Sequence, residues 1–300
     1  MAKDNINPLK NYNFQTQGQS LSIQDITDVT PTQRIAMLID GDNAQPSLIE
    51  KILIEITKYG MITIRRIYGD WTESNMSGWK DVLQSHAIQP IQQFRNSVGK
   101  NATDSAMIID AMDIFYSGVV DAFCLVSSDA DYTRLATRIR EAGLFVIGVG
   151  KKMTPRAFVN ACDVFVYTEN LVPTHEIHNS VNENHRRHSK QNSEPVAVEQ
   201  NYNDSNAPDI SAPDNPANDP LPLLKNAFDL AARDNGWAFL GTLGHHLQQL
   251  DPGFDTRTFG FKQLSLLIQA YPDDFETKEV KGGDGTSVIY AREKNEWGRK

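Results

Sequence analysis

The feature that most limits what this chain can fold into is an apolar run, residues 35–39, that stops abruptly at Asp40-Gly41-Asp42-Asn43. A short unbroken hydrophobic stretch reads as a strand buried on both faces of a parallel sheet. Open α/β sheets collect their ligands outside the carboxyl ends of such strands. The run therefore delivers two carboxylates to the edge where a fold of this class does its chemistry. The design recurs further on, where apolar residues 122–126 lead into Ser127-Ser128-Asp129-Ala130-Asp131.

From Arg34 onward, strand and helix patterns alternate. Strands are expected at residues 35–39, 62–68, 88–94, 123–126, 144–149 and 164–167, with helices at 47–59, 77–86, 103–116, 132–142 and 155–161. Pro46 and Ser47 suit the start of the first helix and Gly60 its end. Thr103 is placed as an N-cap, opening a helix whose buried face draws on Ala106, Met107, Ile109, Ile114 and Phe115. This alternation implies an α/β fold built on a parallel sheet with right-handed crossovers. With strand order 3-2-1-4-5, the first and fourth strands are neighbours at the switch point, and Asp40 faces Asp129 and Asp131 across one crevice.

A chain of 300 residues suggests about two domains. Residues 1–32, rich in Asn, Gln, Ser and Thr, read as a mobile tail, and the first domain spans 33–172. Residues 173–220 hold six Pro and nine Asn with no Trp or Phe, too little apolar surface to fold alone, and form a disordered linker. Its histidines, His175, His178, His185 and His188, have no cysteine partner and read as solvated. Residues 221–294 form a second, small domain, with 295–300 as a tail. Helices are expected at 223–232, 242–250 (stripe Leu243, Leu247, Leu250) and 260–271, then a hairpin from 275–280 and 287–291, which is a winged-helix plan.

The formal charge of −9 looks adverse to a polyanionic partner, but the linker alone carries 8 acidic against 3 basic groups. In the first domain five aspartates (40, 42, 104, 129, 131) belong to the proposed site or its rim, where metal would offset their charge. A polyanion is therefore compatible with the folded surface. Cys124 and Cys162 sit within apolar runs and read as buried, reduced thiols, in keeping with a cytoplasmic setting. No apolar run approaches the roughly 20 residues of a membrane helix, and the first residues lack the apolar core of a secretory signal.

A lone carboxylate after a strand often does no more than cap the next helix. Here Asp40 ends the first strand, Asp104 opens the helix after the third, and Asp129 and Asp131 follow the fourth, all on one edge of the expected sheet. Carboxylates crowded together raise one another's pKa, and a hard cation removes that cost. Mg²⁺ or Mn²⁺ suits oxygen donors, whereas Zn²⁺ favours His and Cys. A cation so held activates water and stabilises phosphoryl charge, which fits phosphodiester hydrolysis; no Walker loop or kinase signature is present. Asn43 and Ser127 are positioned to orient water or phosphate, with Asp42 on the rim and Asp70, after the second strand, a further rim candidate. Arg95, Lys100 and Arg134 are candidates for backbone phosphates.

Together, Asp40-Gly41-Asp42-Asn43, Lys100-x-x-x-Asp104 with Asp110 beyond it, and Ser127-Ser128-Asp129-Ala130-Asp131-Tyr132 resemble the NYN domain, the LabA-like branch of the PIN-like nucleases, over residues 34–171. The resemblance implies a Rossmann-like α/β/α domain with a Mg²⁺/Mn²⁺ acidic site and ribonuclease activity, with the acidic motif positions on Asp40, Asp104 and Asp129 and with Asp131 close by. Ser128 and Tyr132 stand where many relatives have Gly and Phe. Six residues on from Asp104 turn a helix by about 240°, so Asp110 is assigned a supporting or structural role. The stretches Ala238-Phe239-Leu240-Gly241-Thr242-Leu243-Gly244 and Asp251-Pro252-Gly253-Phe254-Asp255-Thr256-Arg257-Thr258-Phe259-Gly260-Phe261-Lys262-Gln263-Leu264 resemble an OST-HTH/LOTUS domain. That resemblance implies RNA, expected to be single-stranded, and protein partners, with Arg257, Lys262 and Lys281 as contacts. The leading expectation is a metal-dependent ribonuclease aimed by its second domain. The alternatives are a non-catalytic RNA-binding or scaffold protein retaining the metal site and, ranked lower, a haloacid-dehalogenase-type phosphatase using Asp40.

Overall fold

The computed structural model describes residues 33–94, 102–172, 219–281 and 287–294. The expected tails, almost all of the linker with its histidines, and the candidates Arg95 and Lys100 lie outside the described residues.

The first domain is a six-stranded sheet of order β3-β2-β1-β4-β5-β6, every neighbouring pair parallel. Its strands are β1 (Arg34–Asp40), β2 (Met61–Gly69), β3 (Gln89–Gln92), β4 (Ala122–Val126), β5 (Phe145–Gly150) and β6 (Val164–Tyr167). The helices are α1 (Ile49–Ile56), α2 (Lys80–His86), α3 (Ala102–Ser117), α4 (Thr133–Glu141) and α5 (Arg156–Ala161). The two-residue alternation of β1 splits its side chains between two cores. Ala36 and Leu38 meet Met107, Ala111 and Ile114 of α3 and Leu135 and Ile139 of α4. Ile35, Met37 and Ile39 meet Ile49, Ile52 and Ile56 of α1. Each large apolar side chain so buried contributes roughly 1.5–3 kcal/mol, and helices cover both sheet faces.

Several local expectations are corrected. The first helix opens with a 3-10 turn, Pro46–Leu48, and ends at Ile56, short of Gly60. Thr103 lies inside α3 and is buried, so it does not cap that helix, and Ile109 is 62% exposed. Helix α3 is apolar nearly all round, so the choice of buried face passes to tertiary packing.

The second domain comprises α6 (Leu221–Ala231), β7 (Ala238–Phe239), α7 (Leu240–Leu250), α8 (Leu264–Gln269) and the hairpin β8 (Phe275–Lys281) and β9 (Ser287–Glu293). The third helix is shorter than the apolar pattern implied. A 3-10 turn, Thr256–Phe259, is closed by Gly260 at φ +86°, and the α-helix begins only at Leu264. Leu243 and Leu247 are buried, but Leu250 is 44% exposed. The unforeseen β7 pairs antiparallel with β9 and completes a three-stranded sheet.

This domain packs on the β6 edge of the first. The Phe165 amide donates to the Pro252 carbonyl at 2.7 Å, satisfying an edge donor of the sheet. Gly253 lies against Tyr167; a Cβ there would come within 2.6 Å of the phenol oxygen. Arg257 clamps Glu55 through two hydrogen bonds of 2.9 and 3.1 Å, and Arg156 pairs with Asp251 at 3.2 Å. Among the described residues no helix is long and apolar enough to cross a membrane.

Candidate metal centre

β1 and β4 are adjacent at the reversal of strand order, so their carboxyl ends open one crevice. Gly41 lets the chain leave β1 there. Its amide donates to the Tyr68 carbonyl at 2.9 Å, and a Cβ would sit 2.6 Å from that oxygen.

Asp40 forms the floor and is fully buried. One oxygen accepts from the Asp42 amide at 3.1 Å, the other from Asn43 Nδ2 at 2.7 Å and Ser127 Oγ at 2.9 Å. Burial pushes its carboxyl above the ordinary aspartate range, and these hydrogen bonds oppose the shift. Ser127 Oγ in turn accepts from the Asp129 amide at 3.1 Å, and Asp129 accepts from the Asp131 amide at 2.9 Å. A polar relay thus links the end of β1 to the turn after β4.

Above this floor, Asp104, Asp129 and Asp131 each offer a carboxylate oxygen, all within 4.8 Å of one another. Asp104 comes from the first turn of α3 and is half-buried, and the buried Tyr132 hydroxyl donates to it at 2.8 Å. Burial raises the Asp104 carboxyl above its usual value. The Tyr132 hydrogen bond opposes the rise, while Asp40, Asp129 and Asp131 add to it. The donor set is all oxygen, without His or Cys, and carries mutual repulsion that a hard divalent cation relieves.

The structure thus brings together three of the four expected ligands. Asp40 lies outside the 4.8 Å set and is buried with both oxygens engaged. Asp42 is exposed at the rim. Asp110 is removed from the cluster and bonds Arg66 and the Tyr68 hydroxyl on β2. Asp70 is held by Thr72 and Gln92 in the turn after β2. Arg134 is exposed in the first turn of α4. Arg257, expected to meet RNA, is engaged by Glu55 and Asp255 at the domain joint. Lys262 and Lys281 are exposed. Tyr132, given no role from its sequence position, holds Asp104, and Ser128 Oγ accepts the Lys151 amide at 2.9 Å, tying the β4 turn to β5. A hydroxyl at each position where many relatives have none was the available signal.

Residues 34–171 match the family model of the NYN domain, and residues 215–286 match that of the OST-HTH/LOTUS domain. The chain is an NYN domain protein with a following OST-HTH/LOTUS domain. NYN domains belong to the PIN-like nuclease superfamily, whose members generally use divalent metals, and both domain types are RNA-binding modules. An uncharacterized protein of Methanocaldococcus jannaschii is 29% identical over 121 residues, 39% of this chain and 47% of that protein. The chain therefore spans about half the length of that curated relative. A protein of unknown function from Vibrio parahaemolyticus aligns with TM-score 0.39 at 20% identity, covering 46% of this chain and 93% of that one. An uncharacterized protein of Nitrosomonas europaea aligns with TM-score 0.23 at 30% identity, over 36% and 93%.

Proposed function

We propose that the NYN domain is a Mg²⁺- or Mn²⁺-dependent ribonuclease that hydrolyses phosphodiester bonds of single-stranded RNA and is aimed by its second domain. The observation that carries this reading is the convergence of Asp104, Asp129 and Asp131 at the switch point, in a domain of a nuclease superfamily joined to a second RNA-binding module. Asp104, Asp129 and Asp131 are the residues to hold the cation. A cation there supplies charge stabilisation at the phosphoryl oxygens and makes water a stronger nucleophile at neutral pH. Tyr132 fixes the orientation of Asp104. Asp40 fixes Ser127, and through it the backbone of Asp129. Arg134 and the expected phosphate contacts Arg95 and Lys100 neutralise the RNA backbone.

The phosphatase alternative requires an accessible nucleophilic oxygen, and Asp40 is fully buried with both oxygens hydrogen-bonded. The same burial favours, as a second reading, RNA binding without cleavage. The test is cleavage of labelled RNA and DNA oligonucleotides by the full chain in Mg²⁺, Mn²⁺ or EDTA, beside Asp104→Asn and Asp129→Asn. RNA cleavage that needs the cation and vanishes in both variants supports the nuclease. Wild-type protein that binds RNA in every condition and never cuts it supports the second reading.

A further inference from the structure

The inner face of the second domain's sheet is complete: Ala238, Phe275 and Ala291 are buried against α6, α7 and α8. The outer face carries a different population. Phe239 of β7 lies opposite Tyr290 of β9, which lies opposite Lys278 of β8, so one cross-strand row reads aromatic, aromatic, cation. The Phe239 and Tyr290 rings are 6.0 Å apart. Beside this row stands Trp237, with Lys278 Nζ 3.8 Å from its ring centre and the Arg292 guanidinium at 4.9 Å. Arg292 also pairs with Glu276. Phe239 is 37% exposed and Lys278 and Arg292 face solvent.

Three aromatic rings on the open side of a finished sheet add little that the core needs. Among the described residues around these rings, Lys278 and Arg292 stand against the carboxylate of Glu276, so this part of the face carries more positive than negative charge. One exposed ring, Phe239, and two partly exposed ones, Trp237 and Tyr290, interleaved with basic groups suit one chemistry above others: unpaired bases stack on the rings while phosphates meet the cations. A duplex hides its base faces and offers its backbone and groove edges instead.

We propose that this outer face, centred on Tyr290, Phe239 and Trp237 with Lys278 and Arg292, is a stacking platform for single-stranded RNA. It deepens the proposed function and rests on RNA being the partner, but not on cleavage.

The test uses the full chain in EDTA, so that binding is read without cutting, with a fluorescent mixed-sequence 12-nucleotide RNA strand and the same strand in a duplex. Tyr290→Ala and Trp237→Ala are each expected to weaken single-strand binding roughly 5- to 150-fold, with duplex binding changed less than twofold. Tyr290→Phe keeps the ring and should bind as wild type. Tyr290→Leu keeps bulk without a π face and should bind as weakly as Tyr290→Ala, which separates stacking from folding. Lys278→Gln should shallow the salt dependence of binding. Wild-type affinity in both alanine variants, equal losses for strand and duplex, or retained binding in Tyr290→Leu would each overturn the platform. A protein partner on this face would appear as oligonucleotide affinity unmoved by all of these changes. Cleavage lost in Asp104→Asn is a separate readout, so platform and nuclease stand or fall independently.

Discussion

Asp104→Asn is expected to make the cation-free protein more stable and the cation-loaded protein less so. Asparagine keeps the oxygen that accepts the Tyr132 hydroxyl, so the change removes charge with little change of shape. Two unit charges 4.8 Å apart repel by about 0.9 kcal/mol at the dielectric of water and about 3.5 kcal/mol at an effective value near 20. Asp104 faces Asp129 and Asp131 at or inside that separation, on a half-exposed rim where solvent screens strongly. A net relief of about 1–2 kcal/mol follows, or roughly 2–8 °C in Tm for a domain of this size. A cation bound only by the folded state reverses the order: at a hundredfold excess over Kd it adds about 2.7 kcal/mol to the wild type. The assay is thermal unfolding of both proteins in EDTA and over a titration of Mn²⁺ or Mg²⁺. A variant less stable than wild type in EDTA, or a wild-type Tm that millimolar cation leaves unmoved, would refute both the repulsion and the site.

Tyr132→Phe removes a buried hydroxyl bonded to a carboxylate and should cost about 1.5–3 kcal/mol of the interaction holding Asp104, read as an approximately tenfold or greater fall in RNA cleavage with the circular dichroism spectrum retained. Gly41→Ala drives a Cβ against the Tyr68 carbonyl and should lower stability by about 1–3 kcal/mol in urea unfolding. Arg257→Ala leaves Glu55 buried beside Lys58 alone; because Arg257 is one-third exposed, the expected cost is about 1–2 kcal/mol, read as faster proteolysis between the domains with the first domain still folded. Burial would raise the Glu55 carboxyl, but Arg257 and Lys58 outweigh it and hold the pKa below its ordinary value of 4.5. The contribution is therefore present above that value and lost as pH falls through the lower, folded-state one, so small-angle scattering should show the domains separating only in acid below about pH 4.5.

The sheet was legible because its evidence is local. Residues 35–39 and 122–126 are too uniformly apolar to be anything but doubly covered strands, and the strand order then follows from few topological choices. The carboxylates were legible as a group because each follows an element whose polarity fixes which sheet edge it reaches. Their division into a floor and a cluster was not, since it depends on which hydrogen-bond donors surround each one. Asn43 and Ser127 occupy the oxygens of Asp40, whereas Tyr132 steadies Asp104. Sequence spacing carries no such information. The misassigned third helix of the second domain has a plainer cause: an apolar pattern does not reveal that Gly260 adopts a left-handed backbone and closes a 3-10 turn before the helix starts.

The position of Arg257 changes how the second domain should be thought to work. A guanidinium with Glu55 on one side and Asp255 on the other has few donors left for phosphate, and releasing them would strand the largely buried Glu55. The residue that looked like an RNA contact thus belongs to the joint, together with the Phe165–Pro252 backbone bond and Gly253 against Tyr167. Within the second domain, the proposed affinity for RNA then falls to groups outside that ion pair: Lys262, which lines the cleft between the domains, Lys281, and the outer face of the β7–β9–β8 sheet. A double-mutant cycle separates these roles. Glu55→Gln with Arg257→Gln should show strong coupling in stability, because each removes the other's partner. The pair should show none in RNA affinity measured in EDTA, whereas Lys281→Gln should lower that affinity and its salt slope without affecting the joint.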